Sequence, residues 1–154
     1  KAYKVTGSHN GEIDLKDGYL LMENGMLVGG QFTIGMTTID VQDLEGEYKQ
    51  KLENHLRSDD FFSVDKHNTA TIELTNVVPR GNGSEYKING NLTIKGKTAP
   101  VKFIAKMEGD KAMADIEVDR SEYDVKYGSG TFFDNLGDKT IYDIFDMNVT
   151  LAWN

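Results

Sequence analysis

The chain has 154 residues and a formal net charge of −8, from 17 basic and 25 acidic side chains. Such a surface repels phosphate backbones and anionic headgroups, which argues against nucleic-acid binding through a basic patch and against electrostatic membrane anchoring. With no cysteine, a disulfide scaffold, thiolate metal ligation and a cysteine nucleophile are excluded, and 38% hydrophobic with 10% aromatic residues describes a folded domain rather than a disordered segment.

The length is that of one domain able to bury a real core. With only 2 prolines and no Ser-rich or low-complexity run, the sequence shows no domain boundary, and 1–154 reads as a single unit. The longest uncharged stretch, 24–39, is broken by Gly29, Gly30, Gln31 and Gly35, so the chain is expected not to span a membrane as a helix. It opens at Lys1 rather than Met, which reads as a processed or trimmed product.

In chain order, Asp17-Gly18 and Asn24-Gly25 have the positive-φ chemistry of tight hairpin turns. The stretch 31–39 then alternates, with Phe32, Ile34 and Met36 on one face and Gln31 and Thr33 on the other. The period changes over 43–57. Leu44, Tyr48, Leu52 and Leu56 recur four apart, Asp43 stands where a cap belongs, Glu45 and Glu47 follow it, and Arg57 ends the run. These features predict one short helix lying on the sheet or plugging an open end.

Alternation then returns: Ala70, Ile72 and Leu74; Tyr86, Ile88, Gly90, Leu92 and Ile94; Val101, Phe103, Ala105 and Met107; Ala114, Ile116 and Val118; Phe145, Met147, Val149 and Leu151. Gly81-Asn82-Gly83 and Gly109-Asp110 separate strand pairs, while the pattern runs through Asn89-Gly90, predicting one strand that bends or bulges there. Seven or eight strands with one apolar face must cover that face. An antiparallel barrel does so and removes the edges, and a two-sheet sandwich is the competing answer.

Catalytic and metal signatures are weak. His9, His55 and His67 lack the spacing of a helical zinc site, and no His-Glu-x-x-His occurs. Asp59-Asp60 and the set Asp134, Asp138, Asp143 and Asp146 lack the EF-hand pattern and read as a solvated acidic rim. There is no nucleophile elbow or P-loop, and no cofactor motif is assigned. Asn91-Leu92-Thr93 and Asn148-Val149-Thr150 match the glycosylation triplet but fall within expected strands. The inward set is nearly free of charge: Phe32, Ile34, Met36, Ile72, Leu74, Leu92, Ile94, Phe103, Ile116, Val118, Phe145, Met147 and Val149. On pattern alone it fits a ligand cavity and a solid core equally well.

Three segments carry more than a pattern. His55-Leu56-Arg57-Ser58-Asp59-Asp60-Phe61-Phe62, then Asn91-Leu92-Thr93-Ile94-Lys95-Gly96-Lys97-Thr98, then Asp119-Arg120-Ser121 followed by Tyr123, resemble in order and spacing the signature segments of the YceI-like family of lipocalin-like, polyisoprenoid-binding bacterial proteins. The resemblance runs from about Val5 to Leu151. It implies an elongated, eight-stranded, lipocalin-like antiparallel β-barrel with a helix after the early strands and a hydrophobic tunnel. It also implies binding of a long isoprenoid, quinone-type or fatty-acid-like amphiphile; members of the family are usually exported to the periplasm, homodimers are common among them, and no catalytic activity is established for the fold.

Two departures accompany it. Members of the family usually carry about ten more residues before the stretch matched by Tyr3-Lys4-Val5, so the first strand is expected to be truncated, leaving a seam or an open end. They also often have Tyr-Pro where this chain has His67-Asn68. The function expected is a carrier or sequestering protein, with the thirteen apolar residues lining the tunnel and Arg120, Arg57, Lys95 and Lys97 as candidates to meet a polar or anionic head. Arg120 leads because it extends the alternation of Ala114, Ile116 and Val118, and an ion pair with Asp119 or Asp60 is its equal alternative. Two other readings stay open: an enzyme acting on a lipid inside the barrel, which needs a titratable pair in the cavity, and a solid-core interaction module with an acidic outer face.

Overall fold

A computed structural model describes residues 1–81 and 83–153, so Asn82 of the expected turn after Arg80 lies outside the described residues. In chain order the elements are β1 (Ala2–Lys4), β2 (Gly7–His9), β3 (Gly11–Glu23), β4 (Met26–Val41), α1 (Gly46–Arg57), β5 (Thr69–Arg80), β6 (Glu85–Ile94), β7 (Lys97–Glu108), β8 (Lys111–Asp119) and β9 (Ile141–Ala152). All strand pairs are antiparallel, in one nine-stranded sheet of order β2-β1-β9-β8-β7-β6-β5-β4-β3. The lipocalin-like barrel fold is thus present as a curled half-barrel. It has nine strands rather than eight, the three-residue β1 and β2 forming an extra pair beside β9, and its end strands β2 and β3 are not bonded to each other.

Alternation explains the strands. In β6 every second residue from Tyr86 to Ile94 is buried, and in β8 Ile116 and Val118 are buried while Asp115 and Glu117 are exposed. Bulges explain the curl, because an extra residue bends a strand and increases its twist. The β3–β4 pairing shifts register three times and the β5–β6 pairing once, between Leu74 and Asn76. The irregularity expected at Gly90 therefore sits on its partner strand β5, and β6 runs unbroken. A Cβ on Gly90 would stand 2.8 Å from the Glu73 carbonyl oxygen, which explains the glycine.

Asn24-Gly25 forms the expected tight turn, with φ of 52° and 78°. Asp17-Gly18 does not turn. Both residues lie inside β3, Gly18 opposite Phe32, and a Cβ there would be 2.2 Å from Phe32 Cδ1. The glycine makes room for an aromatic ring crossing from the neighbouring strand.

The helix starts at Gly46, three residues later than expected. Asp43 does not cap it; its carboxylate sits 3.0 Å from His9 Nδ1, and Glu45 holds the cap position without a side-chain bond. Tyr48, expected on the apolar stripe, is 73% exposed, whereas Leu52 and Leu56 are half-buried. Because α1 buries no residue completely, it lies on the barrel rather than plugging it. Glu53 accepts the Val41 N–H at 2.9 Å and Arg57 donates to the Ile39 carbonyl at 2.8 Å, which fixes the helix on β4.

The strands define two ends. At the helix end lie α1, the β6–β7 turn at Lys95-Gly96 and the 3₁₀ turn Arg120–Tyr123. Phe61 and Val64 from the loop after α1, with Tyr123 and Val125, are buried there in the main core against Ile34, Met36, Ile94 and Val118. At the hairpin end lie the β3–β4 and β7–β8 turns and the terminus of β9. A smaller core of Leu27, Tyr86, Ile88 and Ala105 sits towards this end.

Candidate lipid-binding cavity

The thirteen residues expected inside all join the main apolar cluster. Ile34, Met36, Ile72, Leu92, Ile94, Ile116 and Val118 are buried, and Phe32, Leu74, Phe103, Phe145, Met147 and Val149 are partly buried against them. Fully burying each such side chain stabilises by roughly 1.5–3 kcal/mol.

A cavity of about 660 Å³ opens at the hairpin end. That volume is within the range of small-molecule sites. Of the thirteen residues, Phe32 alone borders it; the other twelve stand outside its wall. The wall instead includes Leu15, Leu20 and Met22 of β3, Tyr86, Met107, and Leu151 and Trp153 at the end of β9. Leu15 pairs with Ile34, Leu20 with Gly30 and Met22 with Leu27. Leu15 and Met22 nevertheless remain 41% and 48% exposed, because β3 is the unpaired edge of the sheet.

These residues escaped sequence reasoning for a definable reason. The register shifts between Glu12 and Asp14 and between Leu15 and Asp17 break the parity of β3, so its inward residues do not share one odd or even series. Tyr86, Met107 and Leu151 do belong to the alternations read from the sequence, which could have found them. Tyr86 is buried and its hydroxyl accepts the Leu27 N–H at 3.2 Å, tying β6 to β4 beside the cavity.

The four basic candidates gather at the helix end, away from this opening. Arg120 is 4% exposed at its side chain. Its Nε donates to the Tyr142 carbonyl at 3.2 Å, Nη1 to Val125 at 2.6 Å and Nη2 to Ile141 at 2.9 Å. It lies 5.6 Å from the Phe61 ring centroid and pairs loosely with Asp143 at 3.9 Å, rather than with Asp119 or Asp60. Burial pulls its pKa down, and Asp143 and Asp119 oppose that. Lys95 Nζ donates to the carbonyls of Asp59 and Asp124 at 3.3 and 3.1 Å. Arg57 holds the Ile39 carbonyl, and Lys97 is exposed at the start of β7.

The acidic candidates are largely engaged in local structure. Asp143 accepts the hydroxyls of Ser129 and Thr131, each at 2.5 Å, and Asp146 accepts the Tyr3 hydroxyl at 2.9 Å, which raises the Tyr3 pKa. Asp59 accepts Ser63 and Lys66, which hold its carboxyl below the usual range. Among the described residues, no group of three or more His, Asp or Glu side chains is placed to hold a metal ion.

A family model described as a YceI-like domain matches residues 1–153. The chain belongs to the YceI-like family. Among its relatives is a UPF0312 protein of Pseudomonas aeruginosa (strain LESB58), 42% identical over 72 residues, which are 47% of this chain and 36% of the relative. A UPF0312 protein of Vibrio cholerae (strain M66-2) is 34% identical over 74 residues, 48% of this chain and 38% of the relative. These matches therefore span well under half of the relatives' length. Among solved structures, Burkholderia cenocepacia BcnA superposes with a TM-score of 0.69 at 21% identity, covering 90% of this chain and 83% of its own. A polyisoprenoid binding domain from Saccharophagus degradans, implicated in plant cell wall breakdown, gives 0.55 at 12% identity, covering 96% and 100%. Likeness at these identities establishes the YceI-like fold.

Proposed function

We propose that this YceI-like chain binds a long-chain amphiphile of the isoprenoid, quinone or fatty-acyl type in the barrel, and acts as a carrier or sequestering protein rather than an enzyme. The observation that carries this reading is the half-open, mainly apolar cavity of about 660 Å³ at the hairpin end. The likeness to a polyisoprenoid binding domain supports it. Burial holds the tail without directed bonds: ten methylenes contribute about 8 kcal/mol gross, offset by ordering the chain and by lost translational freedom. The helix end is packed shut by Phe61, Val64, Tyr123 and Val125, so the tail enters between the edge strand β3 and the end of β9. Export to the periplasm and a homodimer belong to the same proposal and are tested by cell fractionation and light scattering.

Native mass spectrometry of gently purified protein tests the binding, together with thermal melting in added isoprenoid alcohol. A ligand at one hundred times its Kd stabilises by about 2.7 kcal/mol, which raises the Tm of a domain this size by roughly 5–10 °C. Leu20→Arg is expected to remove both the bound mass and the shift while leaving the fold intact. If neither lipid nor shift is found with the unaltered chain, the proposal is wrong.

A further inference from the structure

We infer that the cavity accepts amphiphiles with an uncharged or cationic head and disfavours carboxylate and phosphate heads. The inference rests on the reading that this cavity is the ligand site. The charge distribution carries it. Among the described residues of the cavity wall, Asp17 is the single charged one, and it is an acid. The basic residues that the sequence offered for an anionic head sit at the other, closed end, and Arg120 and Lys95 among them are already engaged. The Arg120 guanidinium holds three carbonyls and Lys95 holds two.

Other bases lie nearer: Lys16 stands between the wall residues Leu15 and Asp17 without itself bordering the cavity, and Arg80 and Lys106 border a separate polar depression of about 280 Å³ shared with Glu85 and Glu108. Lys106 is paired there with Glu85 at 3.7 Å. Across the rest of this end, Glu23 and Asp110 oppose Lys111. A carboxylate or phosphate head entering here gives up hydration and meets an acid, within a molecule of net charge −8. An alcohol, amide or phenol head meets no such repulsion, and an ammonium head is attracted.

The molecule supplies its own reporter, because Trp153 is the one tryptophan of the sequence and it borders the cavity. An ω-bromoundecanol is titrated in at about pH 8, where carboxylates are charged and alkylamines protonated, and quenching of Trp153 fluorescence is read. Dodecanol, dodecylammonium and dodecanoate, below micellar concentrations, then compete with it. Dodecanol and dodecylammonium are expected to displace the reporter at concentrations about tenfold lower than dodecanoate requires. Asp17→Asn is expected to narrow the gap between dodecylammonium and dodecanoate by about three- to tenfold.

Equal displacement by dodecanoate and dodecanol overturns the head preference while leaving the cavity as the ligand site, and would point to Arg80 or Lys106 as the partner of the anion. An Asp17→Asn variant whose competitor ratios match the unaltered chain overturns the preference as well. Failure of the reporter to quench Trp153 overturns the cavity as ligand site and the head preference together.

Discussion

Arg120 shows how a residue legible as special in the sequence takes its contacts from segments distant in the chain. It continues an inward alternation at the end of β8, and that position suggested a cation facing a bound head. The chain instead turns at Asp119, whose carboxylate accepts the Ser121 N–H, and the guanidinium is enclosed by the returning segment and by β9. A guanidinium spreads its donors over three nitrogens and so reaches carbonyls lying in different directions, whereas an ammonium offers its three donors from one nitrogen. Arg120→Met is expected to destabilise by about 3–5 kcal/mol in urea denaturation, because it strands three carbonyls and Asp143. Arg120→Lys is expected to recover only part of that loss.

The neighbouring Tyr123 is fully buried, its hydroxyl 3.4 Å from the Ala99 carbonyl, and burial pushes its pKa up to about 12. An unfolded tyrosine loses its proton near pH 10. Above that pH the unfolded chain binds fewer protons at this site than the folded one, so stability falls as pH rises, while below it the contribution is fully present. Alkaline denaturation between pH 10 and about 12 is expected to show a loss of about 2–3 kcal/mol that Tyr123→Phe removes.

At the scale of elements, α1 and β3 differ most from the pattern that announced them. The four-residue spacing of Leu44, Tyr48, Leu52 and Leu56 predicts one stripe, yet within α1 only Leu52 and Leu56 of that stripe are half-buried, while Lys49 reaches β4 through an ion pair with Asp40. The Glu53 and Arg57 contacts also fix the helix on β4. Tyr48→Ala is therefore expected to change stability by less than about 0.5 kcal/mol. Leu56→Ala, which removes a partly buried side chain packed on the main core, is expected to cost about 1–2 kcal/mol, measured by the same denaturation curves. Strand β3 misled in the other direction. Asp17-Gly18 carries turn chemistry, but the glycine serves the close approach of Phe32. A local dipeptide preference is weak against the packing of a ring from the next strand.

Across the whole molecule, the helix end of the barrel is filled by the main core, and the hairpin end holds a smaller core beside an open cavity. This sorts the effects of charge insertion. Leu92→Arg places a cation in the closed core, where Leu92 is 3% exposed, and is expected to unfold the protein as seen by circular dichroism. Met22→Arg, on the edge strand beside the cavity, is expected to leave the circular dichroism spectrum intact and abolish binding of the brominated alcohol. The reverse pattern would place the ligand among the core residues.

Much of this was legible in the residues. Period-two alternation marked β4 through β9, and Asn24-Gly25 marked a hairpin. The three signature segments marked the family, and the thirteen apolar residues were placed on the inner face, because side chains in a strand obey a strict parity that any reader of the chain can follow. Three things depended on tertiary structure. Bulges reset the parity of β3 and so hid Leu15, Leu20 and Met22. The loop after α1 and the 3₁₀ turn Arg120–Tyr123 fold into one end of the barrel, which makes that end core. The cavity consequently lies at the opposite end, where Asp17 rather than Arg120 borders it. Each is decided by contacts between segments far apart in sequence, and strand periodicity carries no information about which end of a curled sheet its neighbours will fill.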